Sequence, residues 1–257
     1  MFGVTGSASA QPSDTESAAH LKAGRDALAR DPGAAIAQLE QVHTREGYEW
    51  LTIALMMESR SASDQFVERA FEAAGRARIG AQMRPRADMI AALRPGDMVV
   101  AFFVGETDVY AWAFDRAGFA GYQLPPRAEI STSTDRARAY IDQHDREGLQ
   151  RIAEDLVPVL FGPALERLSQ TKRLIVVADG PLQQLSIGAL PAGEGQPPLQ
   201  QRVEVVPAEY GSVVDMLARE QTGPAARDTD RASRLMLIGG IALAILLIAA
   251  IVVRRKP

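Results

Sequence analysis

Asp97, Asp108, Asp115 and Asp179, with His20, His43 and His144, are the side chains of this 257-residue chain best suited by type to move a proton or hold a cation. Their spacing argues against both roles. General acid–base chemistry needs groups that converge on one reacting atom. The histidines fall in segments too far apart to form a local cluster, and each aspartate sits at a turn signal: "LRPGD", "GETD", "FDRAG" and "VADGP". Solvated carboxylates are ordinary at such turns. The chain contains no cysteine, which excludes disulfides, thiolate-ligated zinc and a cysteine nucleophile. A serine in its place would need a histidine partner beside a strand end, and none of the histidines has that context. The sequence therefore assigns no catalytic, cofactor-binding or metal-ligating residue. A formal net charge of -4 offers no general attraction to nucleic acid.

The segment that could still carry chemistry is "RLIVVADGPLQQLSIGAL", residues 173–190. Its continuous apolar run suits a central strand covered on both faces. A helical pattern precedes it and "VEVVP", residues 203–207, follows, so helices and strands alternate as in a layered α/β domain. Asp179 falls at the end of that strand, where such folds often place functional groups. No glycine-rich loop with Lys and Ser accompanies it, so a phosphate cradle of the P-loop kind is absent. Asp-Gly-Pro by itself is a turn signature.

The elements that would position these groups are legible by period. In the N-terminal third, Leu21, Gly24 and Leu28, then Ile36, Leu39 and Val42, then Trp50, Ile53, Ala54 and Met57 mark successive helical faces. A fourth face runs through Phe66, Ala70, Ala73 and Ala77. Ser61 with Asp64 is a plausible start signal for that last helix. Tyr48 and Trp50 read as packing residues, and His43 as a helix-end group. "MVVAFFV", "VYAWAF" and "FAGYQL", joined by short polar turns, form an antiparallel meander. Tyr110, Trp112 and Phe114 share one strand face. No basic residues interleave with them, so they read as core under a helix rather than as a base-stacking row. Residues 136–168 return to helix, with Leu149, Ile152, Ala153 and Leu156 on one face. Pro158 and Pro163 divide that stretch, and a fresh helix opens at Pro163. His144, among charges, reads as exposed.

At the other end, "LMLIGGIALAILLIAAIVV", residues 235–253, carries no charge. As a helix it would reach roughly 28 Å, close to a bilayer core of about 30 Å. Arg231 and Arg234 precede it, and Arg254 to Lys256 follow. The expectation is a single transmembrane helix behind a flexible tether, against the alternative of a buried strand-turn-strand, broken at Gly239 and Gly240, or a core helix of a soluble domain. With no secretory signal pattern at the N-terminus, the expected topology leaves the body cytoplasmic.

Taken together, "LRPGDMVVAFFVGETDVYAWAFDRAG", "FGPALERL", "RLIVVADGPLQQLSIGALP" and "VEVVPAEYGSVVDML" resemble, in order and spacing, the first half of the CHAT domain, a caspase-like peptidase domain that follows tetratricopeptide repeats. Asp179, Gly180, Leu182, Ala189 and Leu190 match the family's pattern, whereas Gln184 and the Ser186-Ile187 pair depart from it. "QFVERAFEAAGRAR" is similar to the last repeat helix that leads into such domains. The resemblance implies a partial caspase-like mixed sheet with flanking helices behind N-terminal helical hairpins, to which the apolar run adds the C-terminal transmembrane helix. The expected organisation is a disordered N-terminus at 1–16, a repeat-like helical region at 17–90 and a truncated CHAT-like α/β domain at 93–220. A linker at 221–234, the transmembrane helix at 235–253 and a basic tail at 254–257 follow. The family's catalytic histidine and cysteine lie in its second half, and no residue here inherits either role. The expectation is thus a membrane-anchored, non-catalytic scaffold or adaptor, a pseudoenzyme without cofactors, contacting the bilayer through 235–253. Its protein partner, or a second copy, would meet a sheet edge near 203–206 or 173–178, or the helical region. The alternative is a fragment of a longer CHAT-type cysteine peptidase with no independent activity. The resemblance further implies a sheet running from antiparallel into parallel strands, with the helical bundle packed at one end.

Overall fold

The computed structural model describes residues 13–60, 64–80 and 86–213. Helices α1 (Asp14–Ala27), α2 (Pro32–Leu39), α3 (Arg45–Glu58), α4 (Asp64–Ile79) and α5 (Arg86–Ala92) come first. Strands β1 (Asp97–Val104), β2 (Val109–Phe114) and β3 (Phe119–Leu124) follow, then α6 (Arg127–Asp142), α7 (Arg146–Phe161) and the short α8 (Leu165–Leu168). Strand β4 (Arg173–Val177), three 3-10 turns and strand β5 (Glu204–Ala208) complete the order.

Local chemistry starts these helices. Ser13 and Glu16 form a reciprocal capping box on α1. Asp31 caps α2 ahead of Pro32, Thr44 caps α3 and Asp145 caps α7, each accepting a backbone N–H at the open end. Gly24 lets α1 approach α2 closely, since a Cβ there would lie 2.6 Å from Leu39. The Ser61 start signal lies outside the described residues.

The sheet has five strands in the order β3-β2-β1-β4-β5. The β3-β2-β1 half is an antiparallel meander, and β1-β4-β5 is parallel. β1, β2 and β4 are buried along their whole length, β3 is half-buried and β5 is an edge. The edge expected at 173–178 is therefore corrected: that segment is β4, paired on both sides. One face of the sheet, with Val100, Phe102, Leu174 and Val176, packs under Ile130 and Ala137 of α6 and Ala153, Leu156 and Leu160 of α7. The 3-10 turns after β4 insert Leu182, Leu185 and Ile187 into the same core.

The opposite face is aromatic and is covered by α4. Phe71 meets Trp112, Phe114 and Phe119 edge-on, with ring centroids 5.5, 5.6 and 5.9 Å apart. Such pairs contribute about 0.5–1.5 kcal/mol each beyond the area they bury. Trp112 Nε1 donates to the Val67 carbonyl at 3.1 Å, satisfying the buried indole. Gly121, opposite Trp112 on β3, leaves room for this approach: a Cβ there would sit 2.4 Å from Val67. α4 of the helical bundle thus covers the aromatic face of the sheet.

Three further expectations are corrected. The helix read from residue 136 begins at Arg127, and Pro158 sits inside α7 without ending it. Tyr48 and Trp50 are half-buried and line surface cavities. The membrane anchor is the largest change. Residues 235–253, with the linker and tail around them, lie outside the described residues. Among the described residues no helix is long and apolar enough to cross a membrane. The longest, α4, α6 and α7, have 16 residues each, roughly 24 Å at about 1.5 Å per residue, and all three carry charged side chains. For the described residues the fold class is corrected to helices with a mixed sheet and no membrane-spanning helix. The single-pass anchor, the membrane localisation, the bilayer as partner and the membrane-anchored scaffold built on them are withdrawn with it.

Candidate functional site

The carboxyl ends of β1 and β4 lie side by side, where open α/β sheets often place their ligands. Here that position is filled by an ionic clamp. Gly180, at φ +54°, turns the chain sharply out of β4, and a Cβ on it would lie 3.0 Å from Val104. The turn aims Asp179 back at the sheet, where its Oδ2 accepts from the Val104 N–H at 2.7 Å. From the last turn of α4, Arg78 Nε donates to the same Oδ2 at 2.9 Å, and its terminal nitrogens reach the Val104 carbonyl at 2.8 Å and Glu49 of α3 at 2.6 Å. The Arg78 guanidinium also lies 4.6 Å from the centroid of the Phe103 ring. Burial alone would lower the Arg78 pKa, but hydrogen bonds and charges from Asp179 and then Glu49 outweigh it and hold the group above its ordinary value.

Behind the clamp, Tyr210 donates its buried hydroxyl to the Phe102 carbonyl at 2.7 Å. Burial first, then the Asp179 charge, pushes this phenol well above its usual range, and Arg78 opposes the shift. A cavity of about 440 Å³ opens in front, with Arg45, Trp50, Gly105, Glu106 and Arg127 among its walls. Its charges are mixed in sign, and Asp179 is engaged by the backbone and Arg78. The Asp-Gly-Pro turn therefore ties α3, α4, β1 and β4 together.

The other acidic candidates do not join it. Asp97, 6% exposed, makes a two-pronged pair with Arg173, Nε to Oδ1 at 3.0 Å and a terminal nitrogen to Oδ2 at 2.7 Å. It also accepts from the Arg94 N–H at 2.8 Å. Asp115 closes its own turn through the Ala117 and Gly118 N–H groups and pairs with Arg167 at 2.8 Å. Asp108 accepts from the Thr107 hydroxyl at 2.8 Å. The expectation of solvated carboxylates is thus corrected for Asp97 and Asp179, both of which are buried. His20 bonds Gln38 at 2.8 Å, and His43 bonds the Tyr48 hydroxyl at 3.3 Å. His144 takes a left-handed conformation at the α6–α7 corner, φ 55°. Among the described residues no group of His, Asp and Glu is placed to hold a metal ion. The chain has no cysteine, so it cannot act as a cysteine peptidase.

A different kind of site lies along β5. Glu204 N donates to the Lys172 carbonyl at 2.9 Å, so positions 204, 206 and 208 turn their backbone groups toward β4 while Val205 and Pro207 turn theirs outward. Pro207 has no N–H to offer. Val205 and Pro207 also border an open groove of about 290 Å³ whose walls include Val176, Leu182, Leu185 and Ile187. Sequence reasoning found this edge but missed the groove, because its walls come from a 3-10 segment with no period. It also missed Arg78 and Glu49, which look like surface charges on amphipathic helices. No protein-family model and no curated protein matches the chain, so the functional reading rests on its geometry.

Proposed function

We propose that the chain is a non-catalytic protein-binding module that takes an extended segment of a partner protein along β5. The observation that carries this reading is the coincidence of an outward-facing backbone pair at Val205 with an apolar groove on the same strand. An added strand bonds through its backbone and is selected through pockets for alternate side chains. The occupant this geometry suits is a short extended segment with apolar side chains at alternate positions. It is short because Pro207 ends the run of outward donors. The strand end that an α/β enzyme would use is engaged by the Arg78–Asp179 clamp, which supports binding over catalysis. The kinship with the CHAT family is offered in the same sense: the quoted segments fall on β1 and β2, on α8, on β4 with its turn, and on β5.

Panning a displayed library of random linear peptides against the full chain tests the reading. Enriched peptides should alternate apolar residues and should bind Ile187→Asp and Val205→Asp roughly tenfold more weakly, a loss of about 1.4 kcal/mol. Absence of enrichment, or equal binding to both variants, would overturn it.

A further inference from the structure

We propose that a second cleft, within the helical layer, binds a small organic monocarboxylate through Arg76. The cleft holds about 290 Å³ between the α2–α3 corner and α4, and Glu40, His43, Tyr48, Arg69, Glu72 and Arg76 form its polar walls.

The arginines of α4 differ in one respect. Arg69 pairs with Glu40, and Arg78 with Glu49 and Asp179. The Arg76 side chain makes no ion pair or hydrogen bond among the described residues; its guanidinium carbon lies 5.7 Å from the centroid of the Tyr48 ring. Its Nε is buried without an acceptor. A buried N–H of a cation left unpaired is costly, and native proteins rarely tolerate one without a reason. A ligand in the cleft would reach the terminal N–H groups of this cation rather than the buried Nε, and a carboxylate is the acceptor whose two oxygens fit that fork.

The rest of the cleft defines the remainder of the ligand. Leu51, Leu55 and Ala73 are buried residues along its wall, an apolar bed for a hydrocarbon body. The volume lies at the small end of ligand pockets, which suits a single ring or a branched chain. Two arginines, Arg69 and Arg76, and two glutamates, Glu40 and Glu72, line the cleft, so the formal charges of these four balance. One added negative charge is therefore favoured over the two of a phosphate dianion. The Tyr48 side chain, whose hydroxyl is hydrogen-bonded to His43 Nδ1, lines the same cleft and offers a second polar group. This site is independent of the β5 groove and survives if that reading fails.

Nuclear magnetic resonance on the full chain reads the proposal at the group concerned. Benzoate is the probe, with benzamide as its neutral counterpart and inorganic phosphate as the dianion. Benzoate should move the Arg76 Nε–Hε signal to saturation with a Kd on the order of 1 mM, while benzamide and phosphate leave it in place. Arg76→Gln should weaken benzoate binding at least about tenfold, followed at the Leu55 and Ala73 resonances. Arg76→Lys, which keeps the charge and loses the fork, should do nearly the same and guards against a folding defect in the first variant. An Arg76 signal unmoved by benzoate at roughly twenty times that Kd overturns the proposal. So does an equal response to benzamide or phosphate, or undiminished binding by a folded Arg76→Lys.

Discussion

The amino ends and the carboxyl ends of β1 and β4 are each closed by an aspartate and an arginine, yet the two closures do different work. At the amino end Asp97 is in register with Arg173, so the pair joins neighbouring strands across one rung of the sheet. At the carboxyl end Asp179 reaches Arg78, 101 residues away in the chain and in the helical layer. The first pair fixes register, and the second fixes how α3 and α4 sit on the sheet. The same two residue types thus serve pairing in one place and layering in the other, and only their partners distinguish the roles.

Removing one carboxylate at a time is the strongest way to break this comparison. Breaking a buried pair by deleting one partner costs about 3–5 kcal/mol. Asp97→Ala should fall near the top of that range, about 4 kcal/mol by urea denaturation, because the Asp97 and Arg173 side chains are only 5% and 7% exposed. Asp179→Ala should cost less, about 3 kcal/mol, because Glu49 still faces Arg78. A larger loss for Asp179→Ala would mean that layering, not register, limits stability. Gly180→Ala comes next, at about 2 kcal/mol, since it forces a side chain into a left-handed turn against Val104. Its effect should appear only at the carboxyl end, as altered amide shifts near Val104 with Asp97 unchanged.

The buried phenols sharpen the comparison further. Tyr210→Phe removes a hydrogen bond behind the clamp and should cost about 1 kcal/mol. Tyr110→Phe should cost nothing measurable, because its hydroxyl is buried without a partner. Burial raises the pKa of Tyr110, Tyr122 and Tyr210, so the fold keeps these protons where the unfolded chain releases them. Their contribution to stability is complete below about pH 10 and declines above it. Phenolate absorbance from these residues should therefore rise together with the loss of far-ultraviolet circular dichroism. A rise in the still-folded protein would sink this reading. The smallest effect belongs to the capping box. The Ser13 backbone N–H and hydroxyl hold the Glu16 carboxyl below its ordinary value. This support is present above about pH 4.5 and fades as pH falls through the lowered value. Ser13→Ala should fray only the first turn of α1, seen as faster amide exchange there.

The sheet was largely legible in the sequence. "RLIVVA" read as a strand covered on both faces, "MVVAFFV" as the first strand of a meander, and the alternation of Tyr110, Trp112 and Phe114 foretold a helix over them. The start of α6 was not, because "EISTSTD" is rich in β-branched and hydroxyl side chains that disfavour helix, and packing of Ile130 and Ala137 overrides them. The clamp was not legible either. Asp97 and Asp179 find their arginines 76 and 101 residues away, and turn chemistry can predict the bend without predicting what it points at. Arg76 and Arg78 sit two positions apart on one helix; only the packed structure shows that one is paired and the other is not.

Phe71 supplies the ring that Trp112, Phe114 and Phe119 pack against, so α4 belongs to the core of the sheet as much as to the helices before it. A repeat array ordinarily sheds or gains units at its ends without disturbing what lies beyond. Here α4, held to the sheet by Phe71 and to α3 by the Arg78–Glu49 pair, is no such end unit. α1 and α2 can open alone, as a local fluctuation of low free energy, whereas α4 can leave only by baring the aromatic face of β2 and β3 in the same event.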